Sequence, residues 1–259
     1  MESMNTILSK NDAFLLEKAL VNAGQVVRFD DLKKATNDQL TDVQLKKIVQ
    51  RLVERGWLVR IKNGLYVVIS DITSLASNDV SLLRISQALN ENSYISLTSA
   101  LQYYGLVDQL LKEVTAITNN RTRRYQFQGF IFRFSKVRDD FYFGYSQKRV
   151  EGKLVNIAEL EKVILDFIYL KKDVYSLNML WEKLTEYSDE FDFDKLQVLA
   201  LRCNLTLRRI TGFLLDKLGK DSKRLYASVK GKNGYSRLTS NSKDFNAKWR
   251  LYYDHRIIE

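Results

Sequence analysis

At 259 residues, 45% hydrophobic and 12% aromatic, the chain can bury the core of one large domain or two to three small ones, which excludes a disordered polymer. Its 41 Lys and Arg against 31 Asp and Glu leave a net charge of +10, which favours a polyanionic partner. With one cysteine, Cys203, and one histidine, His255, a single chain can build no disulfide framework, Cys/His zinc site or histidine-based triad.

The amino-terminal stretch breaks its apolar run at Glu17 and Lys18, and no window approaches the roughly 18 uncharged apolar residues of a membrane span. Neither a signal peptide nor a membrane partner is expected, and the cytoplasm is the expected compartment. There is no proline, so Gly, Asn and Asp must make the turns. The net charge is +3 over residues 1–70, +1 over 71–170 and +6 over 171–259. The basic character therefore sits at the two ends.

In chain order, residues 12–22 show helical apolar spacing at Phe14, Leu15, Ala19 and Leu20, stopped by Gly24. FDDLKKAT, 29–36, reads as a short second helix capped by Asp30 or Asp31. Thr41 is an N-cap for a third helix, TDVQLKKIVQRLVERG, with Leu45, Ile48, Val49 and Leu52 on one face and Lys47, Gln50, Arg51 and Glu54 on or near the other. WLVRI and LYVVI follow as strands joined at Lys62-Asn63-Gly64, a strong hairpin signal. Three helices and a hairpin are the order of a winged helix-turn-helix. In such a fold the third helix enters a major groove and the hairpin lays Arg60 and Lys62 along phosphates. The same cations also suit the solvated face of a small domain.

Beyond residue 76 the pattern predicts helices in NDVSLLRISQALN and YISLTSALQYYG, then strands in EVTAITN, FIFRFSKV, FYFGYSQKRV and KLVNI. Helical spacing returns in AELEKVILDFIYL, LNMLWEKLTEY, FDKLQVLALRC and TLRRITGFLLDKLG, the last capped by Thr206. The remainder interleaves cations with Tyr226, Tyr235, Trp249, Tyr252 and Tyr253, a pattern of nucleic-acid contact or of a packed edge. A second Lys-Asn-Gly after basic helices, at 232–234, faintly echoes the amino-terminal order. The expected architecture is α+β: a winged helix-turn-helix over 1–72, then a domain over 73–259 with a mixed α/β part with an antiparallel sheet (73–172) and a mainly helical basic part (173–259).

Asp139 or Asp140 with Glu151-Gly152-Lys153 formally matches the acidic and E-x-K arrangement of a metal-dependent nuclease, although Gly152 between strands also suits a plain hairpin turn. No phosphate-cradling glycine loop occurs, and Cys203 reads as a buried hydrophobe. No cofactor, no metal and no catalytic residue is expected.

The run RLVERGWLVRIKNGLYVV, the helix YISLTSALQYYGL, the strand pair GFIFRFSKV and FYFGY, and the helix IAELEKVILDFIYL together resemble the AbiEi-type antitoxin and transcriptional regulator family of type IV toxin-antitoxin operons. TLRRITGFLLDKLG and KWRLYYD add weaker support. Leu160 departs from the family, which usually has proline before the Glu161-Lys162 pair. The resemblance implies a non-enzymatic repressor that binds its own operator as double-stranded DNA, and a carboxy-terminal antitoxin region that counters a nucleotidyltransferase-like toxin in abortive infection of phage. DNA contact carries over by position to Thr41, Gln44, Lys46, Lys47, Gln50, Arg51, Arg60, Lys62 and Asn63. Two other readings stay open: the nuclease, and a protein-binding module whose basic carboxy-terminal part captures the toxin directly.

Overall fold

The computed structural model describes residues 8–69, 81–109 and 112–258. The fold is α+β, with ten α-helices among the described residues. The chain packs as two compact units, one of residues 1–91 with 148–155 and the other of 92–147 with 156–259. The boundary expected between residues 72 and 73 lies outside the described residues.

In the first unit, α1 (Lys10–Ala23), β1 (Val26–Arg28), α2 (Phe29–Ala35), α3 (Asp42–Glu54), β2 (Leu58–Lys62), β3 (Leu65–Val68) and α4 (Leu82–Leu89) follow in order. The strands form an antiparallel sheet in the order β1-β3-β2. Leu15, Leu16 and Ala19 of α1, Leu32 of α2, Leu45, Val49 and Leu52 of α3, and Leu58, Tyr66 and Val68 of the hairpin meet in one core. Phe14, read as a core position, is 59% exposed, because the buried stripe of α1 runs through Leu16 instead. Neither expected aspartate is the N-cap of α2: the helix starts at Phe29, and Asp31 accepts the Arg28 backbone N–H at 2.8 Å. The β2–β3 hairpin turns at Asn63-Gly64, as expected. Only Gly64 takes a positive φ, 74°, and the register shifts between Arg60 and Lys62, so a bulge supplies the twist that a two-residue turn would need.

In the second unit a six-stranded sheet has the order β6-β7-β5-β4-β9-β8, with β4 Ser93–Ile95, β5 Glu113–Thr118, β6 Arg123–Phe127, β7 Phe130–Lys136, β8 Tyr145–Val150 and β9 Lys153–Ala158. The tip of the β8–β9 hairpin belongs to the first unit. The sheet is mixed, not antiparallel, since β5 runs parallel to β7 and β4 parallel to β9. The cause is β6: its exposed Arg123 and Arg124 suit only an edge, so the β6–β7 hairpin brings Phe132 and Phe134, both fully buried, against β5. Two further expectations are corrected. Residues 93–95 are strand, and only Thr98–Tyr103 forms helix α5, while the strand expected from Phe141 starts at Tyr145 after a 3-10 turn, Asp139–Phe141.

Helices α6 (Leu160–Leu170), α7 (Val174–Glu186), α8 (Phe193–Leu201) and α9 (Leu205–Lys217) follow the expected spacing. The cap of α9 is Asn204, whose side chain accepts the Leu207 N–H at 3.0 Å, and not Thr206. Residues 173–259 are mainly helical, as expected, and strands enter only near their end. After α10 (Lys223–Val229), β10 (Ser236–Arg237), β11 (Asp244–Asn246) and β12 (Leu251–Tyr253) form a small sheet in the order β10-β12-β11. The Lys232-Asn233-Gly234 turn leads into β10, which pairs parallel with β12, so the faint repeat of a hairpin is absent there.

Two polar clusters lock the second unit. Lys162 and Asp166 on α6 are both fully buried and ion-paired; Asp166 also accepts from Ser96 Oγ at 2.7 Å, and Lys162 Nζ donates to the Tyr94 hydroxyl at 3.1 Å. In the tail, Asp216 accepts from Trp249 Nε1 at 2.7 Å and from Ser222 Oγ at 2.5 Å, and pairs with Lys248 at 2.6 Å. Burial alone would raise the Asp216 carboxyl, but these donors together hold it below its usual value. Among the described residues no helix is long and apolar enough to cross a membrane.

Replacing Lys162 by Met strands a buried carboxylate and should cost about 3–5 kcal/mol; the double change Lys162→Met, Asp166→Leu should recover most of it in urea unfolding, and a single variant as stable as the parent would refute the role. Because the folded Asp216 pKa is depressed, its stabilisation is complete above the ordinary aspartate value of 3.8 and is lost as pH falls through the lower folded value. With Trp57 and Trp181 changed to Phe, Trp249 emission should hold steady down to that range and shift red only below it.

A candidate nucleic-acid interface

The third helix is fixed at its start by a reciprocal cap. Thr41 Oγ1 accepts the Gln44 N–H at 3.3 Å, and Gln44 Oε1 accepts the Thr41 N–H at 2.9 Å. With Leu45, Val49 and Leu52 pointing into the core, the helical period leaves Gln44, Lys46, Lys47 and Gln50 exposed. At the amino end, Asp42 is held below the usual carboxylate range by its hydrogen bond and charge pairing with Lys33.

The hairpin stands beside that face. Phe29 N–H donates to Gly64 O at 3.0 Å, tying the turn to the start of α2. Arg60 is exposed, with its guanidinium 5.7 Å from the Tyr66 ring centroid. Between α3 and the hairpin lies an open cleft of about 790 Å³, and Lys46, Gln50, Arg60 and Asn63 line it above a floor that includes Val49 and Tyr66. Glu54 also lines the cleft and accepts from Gln50 Nε2 at 2.9 Å.

Four of the nine sequence-derived positions thus share one concavity. Thr41 and Gln44 cap the helix, and Lys47 lies exposed on it. Arg51 and Lys62 are used inside the unit. The Arg51 guanidinium donates to both oxygens of Asp12, at 2.6 and 2.9 Å, fastening α3 to α1; Asp12 is only 3% exposed. Lys62 Nζ donates to Leu89 O at 2.9 Å, while Arg28 donates to Ala88 O at 2.7 Å and pairs with Glu91. These bonds tie the sheet to the end of α4. Phe29 and Tyr66 also line the cleft, and nothing in their spacing in the sequence separates a lining role from a packing one.

The residues of the nuclease reading are engaged elsewhere. Glu151 accepts from Ser81 N–H at 3.2 Å and pairs with Arg84, Lys153 Nζ donates to Asn22 O at 2.7 Å, Asp139 accepts from Asn119, and Asp140 pairs with Arg138. Among the described residues no group of three or more His, Cys, Asp or Glu side chains is gathered for a metal ion. Burial pushes the Cys203 thiol up to about 11, and its sulfur faces Leu199 O, in keeping with a packing role. His255 Nδ1 lies 3.0 Å from an Asp244 carboxylate oxygen.

No protein-family model and no curated protein matches the sequence. Among solved structures the chain is similar to the Rv2827c protein of Mycobacterium tuberculosis, at 14% identity and a TM-score of 0.64, over 98% of this chain and 95% of that one. At this identity the likeness speaks for the fold alone.

The Arg51–Asp12 pair yields a direct test of which cations the fold consumes. Arg51→Ala leaves the buried Asp12 carboxylate without its donor and should cost about 1–3 kcal/mol, with Asp12→Leu restoring part of the loss in the double variant. Unchanged urea stability would return Arg51 to the set available for a ligand.

Proposed function

We propose that the protein is a sequence-specific repressor of its own operon and the antitoxin of a nucleotidyltransferase-like toxin. In this reading the first unit is a winged helix: α2 and α3 form the helix-turn-helix, α3 is the recognition helix and β2–β3 the wing. The observation that carries the DNA-binding part is the single cleft onto which Lys46, Gln50, Arg60 and Asn63 converge from helix and hairpin. Exposed Gln44, Lys47 and Gln50 are amide or amine donors suited to base edges in a major groove. Lys46 and Arg60 neutralise phosphates on either side.

The antitoxin part is supported by the order of sequence motifs shared with the AbiEi-type family. That order runs from the hairpin through α5 and the β7–β8 region to α6. Its elements are mostly packing patterns, so no single residue is assigned to antitoxicity. The cytoplasm is the proposed compartment, and the reading requires no cofactor.

Binding of the full chain to its own promoter fragment, followed by fluorescence anisotropy across a salt series, tests the DNA reading. Changing Lys46 and Arg60 together to Ala should weaken binding to all duplexes and flatten the log–log salt slope by about two units, since each phosphate neutralised contributes about 0.9. Gln50→Ala should instead reduce discrimination between operator and unrelated duplex with little change of slope. A slope unmoved by the double change would remove the cleft from the interface. Co-expression with a nucleotidyltransferase-like product of the adjacent gene tests antitoxicity separately: growth should be restored by the chain and not by an empty vector.

A further inference from the structure

The small carboxy-terminal sheet carries a surface that the reading above does not use. Cross-strand pairing sets Arg237 opposite Tyr252 and Phe245 opposite Tyr252, so these three side chains lie in a row across one face. Tyr235, just before β10, completes the row. Its ring meets Tyr252 edge-on at 5.2 Å, Phe245 meets Tyr252 at 4.9 Å, and the Arg237 guanidinium lies 4.2 Å from the Tyr252 centroid and 5.7 Å from that of Tyr235. A hydrogen bond of 2.8 Å from Arg237 to Ser242 O fixes the guanidinium.

A packed edge would hide such rings, as it does Trp249, which is fully buried against α9. Instead Tyr235 is 62% exposed and Phe245 50% exposed. The surrounding chain is cationic: residues 217–250 hold ten Lys and Arg against Asp221 and Asp244 alone. Beside the row, sharing Arg237 with it, opens a polar cleft of about 750 Å³ lined also by Ser240, Asn241, Lys243 and Arg256. Of the two carboxylates that line it, Asp254 is ion-paired with Arg256, and Asp244 lies 3.0 Å from His255 Nδ1 and accepts the His255 backbone N–H.

We propose that this aromatic and guanidinium row is a stacking platform for unpaired bases of single-stranded nucleic acid, with the adjoining cleft receiving the phosphates. Exposed aromatic rings reward bases that have left a stack, which a duplex does not offer, and the cationic surround favours a polyanion over an apolar protein partner. The preset guanidinium adds a planar cation between two rings. The proposal is independent of the duplex-binding reading, because it uses neither the cleft nor the cations of the first unit.

The test uses the full chain and fluorescein-labelled oligo(U) and oligo(dT) of about 20 nucleotides, beside a duplex of the promoter, all read by anisotropy near 0.1 M salt. The double variant Tyr235→Ala, Phe245→Ala should bind both single strands at least tenfold more weakly and leave duplex affinity unchanged. Its two sites are exposed, and unshifted Trp249 emission confirms the fold. Tighter binding of oligo(U) than oligo(dT) supports the proposal and assigns RNA as the ligand, while equal binding supports it with stacking and charge alone. No binding of either strand by the parent chain, or a double variant within twofold of the parent, overturns it.

Discussion

A lysine without exposed surface, Lys162, organises the second unit. Its ammonium is satisfied on all sides: Asp166 one turn along α6, the Tyr94 hydroxyl on β4, and the Phe141 ring face 3.7 Å away. Asp166 reaches Ser96 and Tyr94, so one ion pair pins the helix to the centre of the six-stranded sheet. Burial pushes the Asp166 carboxyl upward, and the three donors oppose that push. Such a pair adds little net stability over an apolar substitute of equal volume, but loss of either partner leaves the other buried and uncompensated. Gly144 is part of the same constraint: at φ 73° a Cβ there would meet the Lys162 stem at 3.0–3.1 Å. The stacked rings of Tyr94 and Tyr145, 4.7 Å apart, carry the order on to β8.

The first unit divides its cations between two tasks. Arg51, Lys62 and Arg28 bind internal acceptors and hold α1, α3, the hairpin and α4 together. Lys46 and Arg60 face the open cleft. Composition treats these side chains alike, and only geometry separates them. Lys46 and Arg60 thus stand at an open cleft on a scaffold fastened by cations of the same kind, and the Glu54 carboxylate that shares the cleft is engaged by Gln50.

The amino-terminal elements were legible because each obeys a strong local rule. Leu45, Val49 and Leu52 keep helical period, Thr41 and Gln44 form a reciprocal cap, and Asn63-Gly64 turns the hairpin. Where the reading failed, distant partners decide. Arg123-Arg124-Tyr125-Gln126 has little apolar alternation, yet it pairs as β6 since an edge strand needs only one neighbour. Tyr94-Ile95 looks helical beside α5 but is drawn into strand by β5, and Leu97, at φ 56°, makes the break. Strand order in the sheet follows from returns over tens of residues, on which local patterns are silent. Lys46, Gln50, Arg60 and Asn63 of the cleft could be named from sequence, while the separation of Arg51 and Lys62 from Lys46 and Arg60 required coordinates. The carboxy-terminal row was visible only as interleaved basic and aromatic letters, since Arg237, Tyr252 and Phe245 become neighbours through strand pairing.

The first unit is not a continuous piece of chain: residues 148–155 return to it from the β8–β9 hairpin, where Glu151 meets Ser81 and Arg84, and Lys153 meets Asn22. Arg84, nearly buried, leaves so little room beside Gly24 that even a methyl group would collide with it. An amino-terminal fragment ending near residue 91 would therefore lose a wall supplied by residues 148–155. Exchanging this unit whole for another would need three crossovers, at 91/92, 147/148 and 155/156, where a contiguous domain at the chain end would need one.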